Sequence, residues 1–290
     1  MSETTSPLVE AERSLRSADG VRLHVRSVAP GGAPRARLAW IHGFAEHGGR
    51  YLEHLRWFAG RGYASWIVDL RGHGRSEGRR TFVRRFADYL DDAQAFVASL
   101  EEDPASAPLF LVGHSMGGLV LVRALEERGE ALSSARGAVV LSPFLGVKAK
   151  LPLWKTLAAR ALSRAWPTFA LPTDLDHAQL SKDPAVWEAY ARDPLVAKTA
   201  TARWYTETVG NHPLAIALAG RVRLPVLVLH GEEDGLADPE RARELVAALG
   251  SDDKEFELWP GLRHELLNEI EAEEVRERIL SWLEARLEGP

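Results

Sequence analysis

Two patterns of apolar and polar residues alternate along the chain. Short continuous apolar runs, such as RLAWI at 37–41 and PVLVL at 225–229, are separated by longer stretches in which apolar residues recur every three to four positions. The first pattern is typical of strands buried on both faces of a sheet, and the second of amphipathic helices. The alternation therefore predicts an α/β fold with a mostly parallel central sheet and helices on both faces.

The individual elements follow from these runs. The predicted strands comprise residues 21–29, 37–41, 64–69, 108–113, 137–141, 225–229 and 255–258. The predicted helices comprise residues 51–61, 86–102, 116–128, 239–249 and 272–287. Residues 1–9 carry neither pattern, and we expect them to form a loose tail.

A long interval separates the fifth and sixth predicted strands. Residues 146–223 contain no strand-like run, are helical in pattern and are interrupted by several prolines. The interval is too long for a loop inside a compact domain. We therefore predict that 146–223 form a helical cap, inserted into a core made of residues 1–145 and 224–290.

Composition narrows the classes of function. The chain has 290 residues, of which 46% are hydrophobic and 27% charged, so it can bury a sizeable core. Its net charge of −5 does not favour nucleic acid as a partner. The absence of cysteine excludes disulfides, thiolate nucleophiles and cysteine-bound zinc. Histidines and carboxylates show no metal-ligand spacing, and we expect neither a metal nor a cofactor.

Two further features bear on the location of the protein. Residues 1–15 lack the apolar stretch of a signal peptide, and the chain contains no run of about 18 apolar residues that could span a membrane. We therefore expect a cytoplasmic protein.

A G-x-S-x-G sequence at 113–117 contains the candidate nucleophile, Ser115. It directly follows the predicted strand 108–113 and directly precedes a predicted helix, where a tight turn exposes a serine hydroxyl. Glycines are required there because the turn holds the serine in a strained backbone conformation. We predict Ser115 as the nucleophile of a serine hydrolase.

A serine hydroxyl needs a base to take its proton, and the base needs an acid to orient it. In hydrolases with this turn, the order along the chain is serine, acid, histidine. His264 lies in a loop after the last predicted strand and before the last helix, which makes it the candidate base. Asp234, in the loop after 225–229, is the candidate acid, and Asp238 is its competitor.

The other carboxylates of that loop are weaker candidates. Asp238 precedes Pro239 and has the position of a helix N-cap, which favours a structural role. Glu232 and Glu233 are more distant alternatives to Asp234.

Ester hydrolysis also needs donors for the negative charge that develops on the carbonyl oxygen. The backbone N–H of Met116, next to the nucleophile, is one candidate, and the N–H of Phe44, in the loop after 37–41, is the other. His42, at the end of that strand, is expected to organise the loop. Residues 69–76 resemble a phosphate cradle but lack a lysine and a following helix, so we interpret them as a structural turn near the site.

Six segments of the chain, in this order, are similar to one known family: HGFAEHGGRY (42–51), DLRGHGRSEG (69–78), GHSMGG (113–118), RDPLV (192–196), HGEEDGLAD (230–238) and RHELLNE (263–269). Together they resemble the monoacylglycerol lipase and lysophospholipase branch of the α/β-hydrolase family, across nearly the whole chain. The resemblance implies an α/β-hydrolase fold, a cap over a hydrophobic acyl tunnel, and oxyanion donors at Phe44 and Met116.

The same resemblance implies roles for Glu46 and Arg50, which match positions supporting the glycerol end of the site. An ion pair between them beneath the loop is an equally good interpretation. The chain departs from mammalian members, which have small residues where Phe44 stands and a polar residue where Leu267 stands. These departures imply a different pocket on the alcohol side.

The predicted cap contains a basic amphipathic stretch. Between residues 148 and 164 there are five basic side chains and no acidic one: Lys148, Lys150, Lys155, Arg160 and Arg164. Such a helix can dock transiently on a membrane surface or line an acyl entrance. An ordinary cap helix with a solvated basic face explains the same pattern.

We therefore expect a serine carboxylester hydrolase that cleaves monoacylglycerols or similar lipid esters to fatty acid and alcohol. A lysophospholipase or a broad carboxylesterase is the alternative. An aminopeptidase is disfavoured because no carboxylate is evident near the site for the substrate amine. A non-catalytic binding protein is disfavoured because all three members of the Ser–His–Asp set are present.

Overall fold

The computed structural model describes residues 7–101, 107–146, 153–173 and 176–287. Ten strands occur in these ranges: β1 (Val9–Arg16), β2 (Arg22–Ala29), β3 (Ala36–Ile41), β4 (Tyr63–Val68), β5 (Leu109–His114), β6 (Ala135–Leu141), β7 (Ala170–Pro172), β8 (Thr199–Thr201), β9 (Val226–Gly231) and β10 (Lys254–Trp259). Eight α-helices accompany them in the same described ranges: α1 (Leu52–Ala59), α2 (Ala87–Glu101), α3 (Met116–Glu127), α4 (Leu153–Ala165), α5 (Pro184–Arg192), α6 (Ala202–Ala217), α7 (Pro239–Ala248) and α8 (Ala272–Leu287).

Eight strands form the central sheet, in the order β1-β2-β4-β3-β5-β6-β9-β10. The pairs β1–β2 and β2–β4 are antiparallel, and the strands from β4 to β10 run parallel. The inner strands are buried on both faces, as continuous apolar runs require. The predicted α/β-hydrolase fold, with a mostly parallel sheet between two layers of helices, is confirmed.

The two faces of the sheet are covered by different helices. On one face, Ala39 and Ile41 of β3 pack in a cluster that includes α2 and α3. On the other face, Leu38 and Trp40 of the same strand pack with α1 and α8. This alternation follows from the period of two along a strand. Both core clusters therefore include residues of β3 and β5. The loop after β3 carries Phe44, and the turn after β5 carries Ser115.

Two details differ from the sequence-based prediction. β1 begins at Val9, so the prediction of a loose tail is wrong at residue 9. β1 as a whole was not among the predicted strands. Most of β1 is exposed, and it is held by its register with β2 rather than by a buried face. Residues 146–223, the predicted insertion (the inserted segment), also contain the three-residue strands β7 and β8, which pair antiparallel; the expectation of no strand there is wrong.

Candidate active site

The tight turn between β5 and α3 presents Ser115. Its backbone has φ 53° and ψ −118°, a strained conformation for a residue with a side chain. A Cβ on Gly113 would lie 2.7 Å from the carbonyl oxygen of Gly117, and a Cβ on Gly117 would lie 2.2 Å from that of Ile41. Only glycine fits at these two positions, because α3 must approach β3 and β5 this closely for the turn to form.

A chain of hydrogen bonds joins the three predicted residues. Ser115 Oγ lies 2.8 Å from His264 Nε2, and His264 Nδ1 lies 2.8 Å from Asp234 Oδ2. All three side chains are buried. Since an ionised carboxylate can only accept, His264 donates from Nδ1 and accepts at Nε2 from the serine hydroxyl.

The electrostatics of the three residues suit proton transfer. Burial alone would lower the pKa of His264, but the Asp234 carboxylate raises it above the usual value. Burial alone would raise the pKa of Asp234, yet the histidines beside it hold that pKa far below its ordinary range. Asp234 therefore stays ionised and makes His264 a stronger base.

Backbone donors fix the Asp234 carboxylate. Its Oδ1 accepts from the N–H groups of Leu236 and Ala237, at 2.8 and 2.9 Å. The competitor Asp238 instead accepts from the N–H of Glu240 and caps α7, which confirms its structural interpretation. Glu232 and Glu233 are exposed, unlike the buried Asp234.

The loop after β3 carries the predicted oxyanion donor Phe44. In the described part of the chain, neither the Phe44 N–H nor the Met116 N–H donates to a protein acceptor, so both are free to bind an oxyanion. His42 organises the loop: its Nδ1 lies 2.7 Å from the carbonyl oxygen of Gly43, and its Nε2 accepts from the Leu70 N–H at 3.0 Å.

A buried carboxylate holds the same loop from behind. Glu46 Oε1 accepts from the Gly43 N–H and from the Tyr51 hydroxyl, both at 2.7 Å, and lies 3.2 Å from His114 Nδ1. A Cβ on Gly43 would lie 2.7 Å from this carboxylate and 3.1 Å from Ser115 Cβ. Gly43 is therefore needed to bring the loop, the carboxylate and the nucleophile together.

Arg50 joins that carboxylate to the loop of the base. Its Nη1 lies 2.5 Å from Glu46 Oε2, and its guanidinium makes a bidentate pair with Glu265 at 2.7 and 2.7 Å. All three side chains are at least nine-tenths buried. The ion pair between Glu46 and Arg50 is thus present in the structure, and Glu265, the neighbour of His264, is a third member that sequence reasoning missed.

A cavity of about 240 Å³ opens next to Ser115 and His264. The inserted segment closes it from above with Thr173, Leu180, Tyr190 and Trp204. Phe44 and Trp204 stack with ring centroids 3.6 Å apart and form part of its wall. Aromatic and aliphatic carbon makes up most of the lining, as expected for a site that binds apolar chains.

Backbone hydrogen bonds attach the inserted segment to the two loops that carry His264 and Phe44, the candidate catalytic loops. The Glu265 N–H donates to the carbonyl oxygen of Leu180 at 2.8 Å, and the Ala197 N–H donates to that of Ala45 at 2.8 Å. These bonds place the segment over the site and couple its position to that of the loops.

The turn predicted at 69–76 is structural. Asp69 accepts from the N–H groups of Gly48 and Arg75, at 2.7 and 2.8 Å, and so joins this turn to the loop after β3. In the residues that the structure describes, no three histidine, aspartate or glutamate side chains are grouped as metal ligands would be.

Comparison with known proteins gives one family. A family model described as serine aminopeptidase, S33, matches residues 32–271. A monoacylglycerol lipase of Mycolicibacterium smegmatis is 30% identical over 280 residues, which cover 96% of this chain and 98% of that protein. A phospholipase of Bacillus subtilis is 29% identical over 243 residues, covering 83% of this chain and 92% of that protein.

A solved structure agrees with these relatives. The crystal structure of a monoacylglycerol lipase of Paleococcus ferrophilus superimposes with a TM-score of 0.80 at 28% identity and covers 97% of this chain and 99% of that one. The similarity therefore extends over core and inserted segment alike.

Proposed function

Since the chain belongs to the serine aminopeptidase S33 family of α/β hydrolases, and within it to the monoacylglycerol lipase branch, we propose that it cleaves monoacylglycerols and similar neutral lipid esters through an acyl-enzyme on Ser115. The observation that carries this proposal is the hydrogen-bonded chain Ser115–His264–Asp234, which opens onto a mostly apolar cavity beneath the inserted segment.

In the first step, Ser115 Oγ attacks the ester carbonyl carbon while His264 Nε2 takes its proton. Asp234 stabilises the resulting imidazolium without taking the proton. The N–H groups of Phe44 and Met116 bind the oxyanion of the tetrahedral intermediate. The intermediate collapses when His264 returns the proton to the alcohol oxygen, and the alcohol leaves.

Water completes the reaction. His264 takes a proton from a water molecule, whose oxygen attacks the acyl carbon of the ester on Ser115. The second tetrahedral intermediate collapses with return of the proton to Ser115 Oγ, and the fatty acid leaves. Loss of one oxyanion donor typically reduces such rates by about 10²–10³.

The charges on the cavity wall favour a neutral alcohol over a phosphate head group. Glu46 and Glu265 both line the cavity, whereas Arg50, which pairs with both, is not part of the lining. Carboxylates accept hydrogen bonds from hydroxyls and repel phosphate. This supports monoacylglycerols over lysophospholipids as substrates.

The inserted segment supports contact with a lipid surface. Leu157, Trp166 and Leu171 are all more than half exposed, and Arg160 and Arg164 of α4 are exposed beside them. Within the described ranges, no helix is long and apolar enough to cross a membrane. Exposed apolar and basic residues on one segment fit transient binding at an anionic surface. The residues Lys148 and Lys150, and the side chain of Lys155, lie outside the described residues.

Hydrolysis of matched esters tests the proposed function. We expect turnover of long-chain monoacylglycerols that is lost in Ser115→Ala and kept in Ser134→Ala, which removes an exposed hydroxyl. Lysophospholipids of the same acyl chain should turn over more slowly. Turnover by Ser115→Ala would overturn the mechanism, and faster turnover of lysophospholipids would overturn the substrate class.

One structural observation bears on a second candidate function, an aminopeptidase activity. No carboxylate for a substrate amine was evident from the sequence, but Glu46 and Glu265 both line the cavity, so the absence of a nearby carboxylate does not argue against this activity. Arg50 pairs with both carboxylates, so neither offers an uncompensated charge to a substrate ammonium group, whereas a substrate hydroxyl requires only a free lone pair. We therefore expect aminoacyl amides to remain uncleaved in the same assay.

Vesicle flotation tests the surface contact. We expect binding to vesicles that contain an anionic phospholipid, and reduced binding when Leu157 and Leu171 are both replaced by aspartate. The matched control is Ile270→Asp, which changes an apolar residue 74% exposed and outside the inserted segment. Equal binding by all three proteins would contradict the proposed surface.

A further inference from the structure

A second histidine lies against the acid of the site, and the mechanism above does not use it. His230 is the penultimate residue of β9, just before Gly231, and is fully buried. Its Nε2 lies 3.0 Å from Asp234 Oδ2, the same oxygen that accepts from His264 Nδ1 at 2.8 Å. Two imidazoles therefore converge on one buried carboxylate oxygen.

The surroundings of His230 determine which of its ring nitrogens carries a proton. Among the described residues, neither ring nitrogen has a partner with hydrogen-bond geometry, but Nε2 lies 3.0 Å from the Asp234 carboxylate whereas Nδ1 faces no charged group. A ring protonated on Nδ1 alone would bury an unsatisfied N–H and direct the Nε2 lone pair at a carboxylate, which is unfavourable on both counts. A proton on Nε2 is therefore the stable arrangement, and it is attracted to Oδ2.

The surrounding backbone prevents His230 and Asp234 from moving apart. A Cβ on Gly231 would lie 2.2 Å from the carbonyl oxygen of Arg263 and 2.5 Å from that of Leu262, so the end of β9 runs directly beneath the loop that carries His264. On the other side, the N–H groups of Leu236 and Ala237 hold Oδ1. The Asp234 carboxylate is thereby fixed from three directions, one of which is His230.

We propose that His230 is a positioning residue of this active site, which holds Asp234 Oδ2 in line with His264 and moderates the charge that His264 experiences. The inference rests on the proposed role of Asp234 and His264 in ester hydrolysis. The Nε2–H of His230 compensates part of the carboxylate charge, so His264 becomes less basic than it would be beside Asp234 alone. His230 also limits rotation of the carboxylate, which keeps the Nδ1 tautomer of His264 aligned.

Three substitutions test this role with a soluble ester as substrate. His230→Leu removes the donor and keeps a similar volume, whereas His230→Gln retains an N–H donor at about the reach of Nε2. His24→Gln is the matched control, since His24 lies on β2, which β4 and β3 separate from β5 in the sheet. Ser115→Ala is the blank, so that failure of the proposed function itself is recognised separately.

We expect His230→Leu to lower kcat by about 10- to 100-fold with KM unchanged, the range seen when outer partners of functional histidines are removed from metal sites. The acid limb of its kcat/KM profile should move to higher pH, because His264 then faces the uncompensated carboxylate. His230→Gln should restore most of kcat and the position of the limb. If leucine prevents folding, His230→Asn, with a shorter amide, takes its place.

Other outcomes overturn the proposal. Wild-type kcat and an unmoved acid limb in His230→Leu would show that His230 does not act on Asp234. Equal losses in the leucine and glutamine variants, with an unmoved limb, would show a packing role only. A kcat loss in His24→Gln of the same size would show that the effect is not specific to this position.

Discussion

At the residue scale, Asp234 and Asp238 lie four positions apart but act on different neighbours. Asp234 accepts from His264, whereas Asp238 caps α7. We predict that Asp234→Asn lowers kcat by about 10⁴-fold, since an amide in this place favours the wrong tautomer of the base. Asp238→Asn should keep wild-type activity, because asparagine caps helices as well as aspartate does. Steady-state kinetics on one ester checks both, and similar losses in the two variants would contradict the assignment of the acid.

In the proposed mechanism, the raised pKa of His264 sets the pH dependence of the reaction. The base works only in its neutral form, so kcat/KM falls as the pH drops through the pKa of His264 in the free protein. Because Asp234 raises this pKa, we predict that the midpoint of the acid limb lies above 6.5, the ordinary value for histidine. A midpoint below 6.5, measured on a soluble ester between pH 5 and pH 9, would contradict the electrostatic picture.

Arg50 compensates two buried carboxylates, and its removal would leave both without a counter-charge. We predict that Arg50→Met lowers the free energy of unfolding by roughly 3–5 kcal/mol at neutral pH. Arg56→Met is the control, because the pair of Arg56 with Glu10 is about half exposed and should be worth less than about 1 kcal/mol.

The pH dependence of the same measurement gives a second check. The pKa values of Glu46 and Glu265 are lowered in the folded protein, chiefly by Arg50 acting against burial. Stability from this cluster is therefore present above the ordinary carboxyl pKa and is lost as the pH falls. Urea unfolding should show the difference between Arg50→Met and wild type shrinking in acid, and a difference independent of pH would contradict the charge argument.

At the element scale, burial separates what could be predicted from what could not. The amphipathic pattern of 272–287 predicted the bounds of α8 without error, because one face of that helix packs on the sheet. The strand β1 has the sequence VEAERSLR and buries almost nothing, so its apolar pattern carries no signal. β7 and β8 are three residues long and exist only through their mutual pairing. The local pattern of apolar and polar residues does not predict strands that are held only by pairing with another strand.

The packing of α3 against β3 leads to a prediction about two glycines. A Cβ at Gly117 would lie 2.2 Å from the carbonyl oxygen of Ile41, whereas a Cβ at Gly210, inside α6, would meet nothing within 4 Å. We predict that Gly117→Ala destabilises the protein by about 1–3 kcal/mol or more, since backbone cannot yield. Gly210→Ala should stabilise it by about 0.5–1 kcal/mol through helix propensity. Denaturant unfolding checks both, and equal effects would contradict the close approach.

At the scale of the whole molecule, site residues could be predicted where strand order places them, but not where their roles depend on contacts between loops far apart in the sequence. Ser115, Asp234 and His264 were predicted from their order and their positions after strands, which parallel topology brings to one edge of the sheet. The order of motifs does not predict Glu265, Tyr190 and His230. Their roles depend on contacts between loops that are distant in the sequence. The position of Glu265 next to His264 was a usable hint, and the position of His230 before Gly231 was another.

The inserted segment is attached to the core unevenly. Between 177 and 201 it is joined to the catalytic loops by the Glu265–Leu180 and Ala197–Ala45 backbone bonds and by a 2.9 Å contact of His47 Nε2 with Asp193 Oδ2. Among the described residues, 153–173 bond mainly to β8 and α6 instead, apart from a 3.4 Å contact of Arg79 with the Thr168 carbonyl oxygen. We call residues 153–173 the outer part and residues 177–201 the inner part, and we predict that the outer part opens more readily than the inner part.

Amide hydrogen exchange distinguishes these two parts. Local opening requires only the loss of contacts that hold a segment, so α4 should exchange faster than α5 even though α4 is the longer helix. Asp193→Ala, which removes the contact with His47, should speed exchange in α5 and leave α3 unchanged. The control is Asp176→Ala, whose side chain caps the turn at His177–Gln179 within the segment. Slower exchange in α4 than in α5, or no response of α5 to Asp193→Ala, would contradict this division, because the outer part would then be fixed to the core as firmly as the inner one.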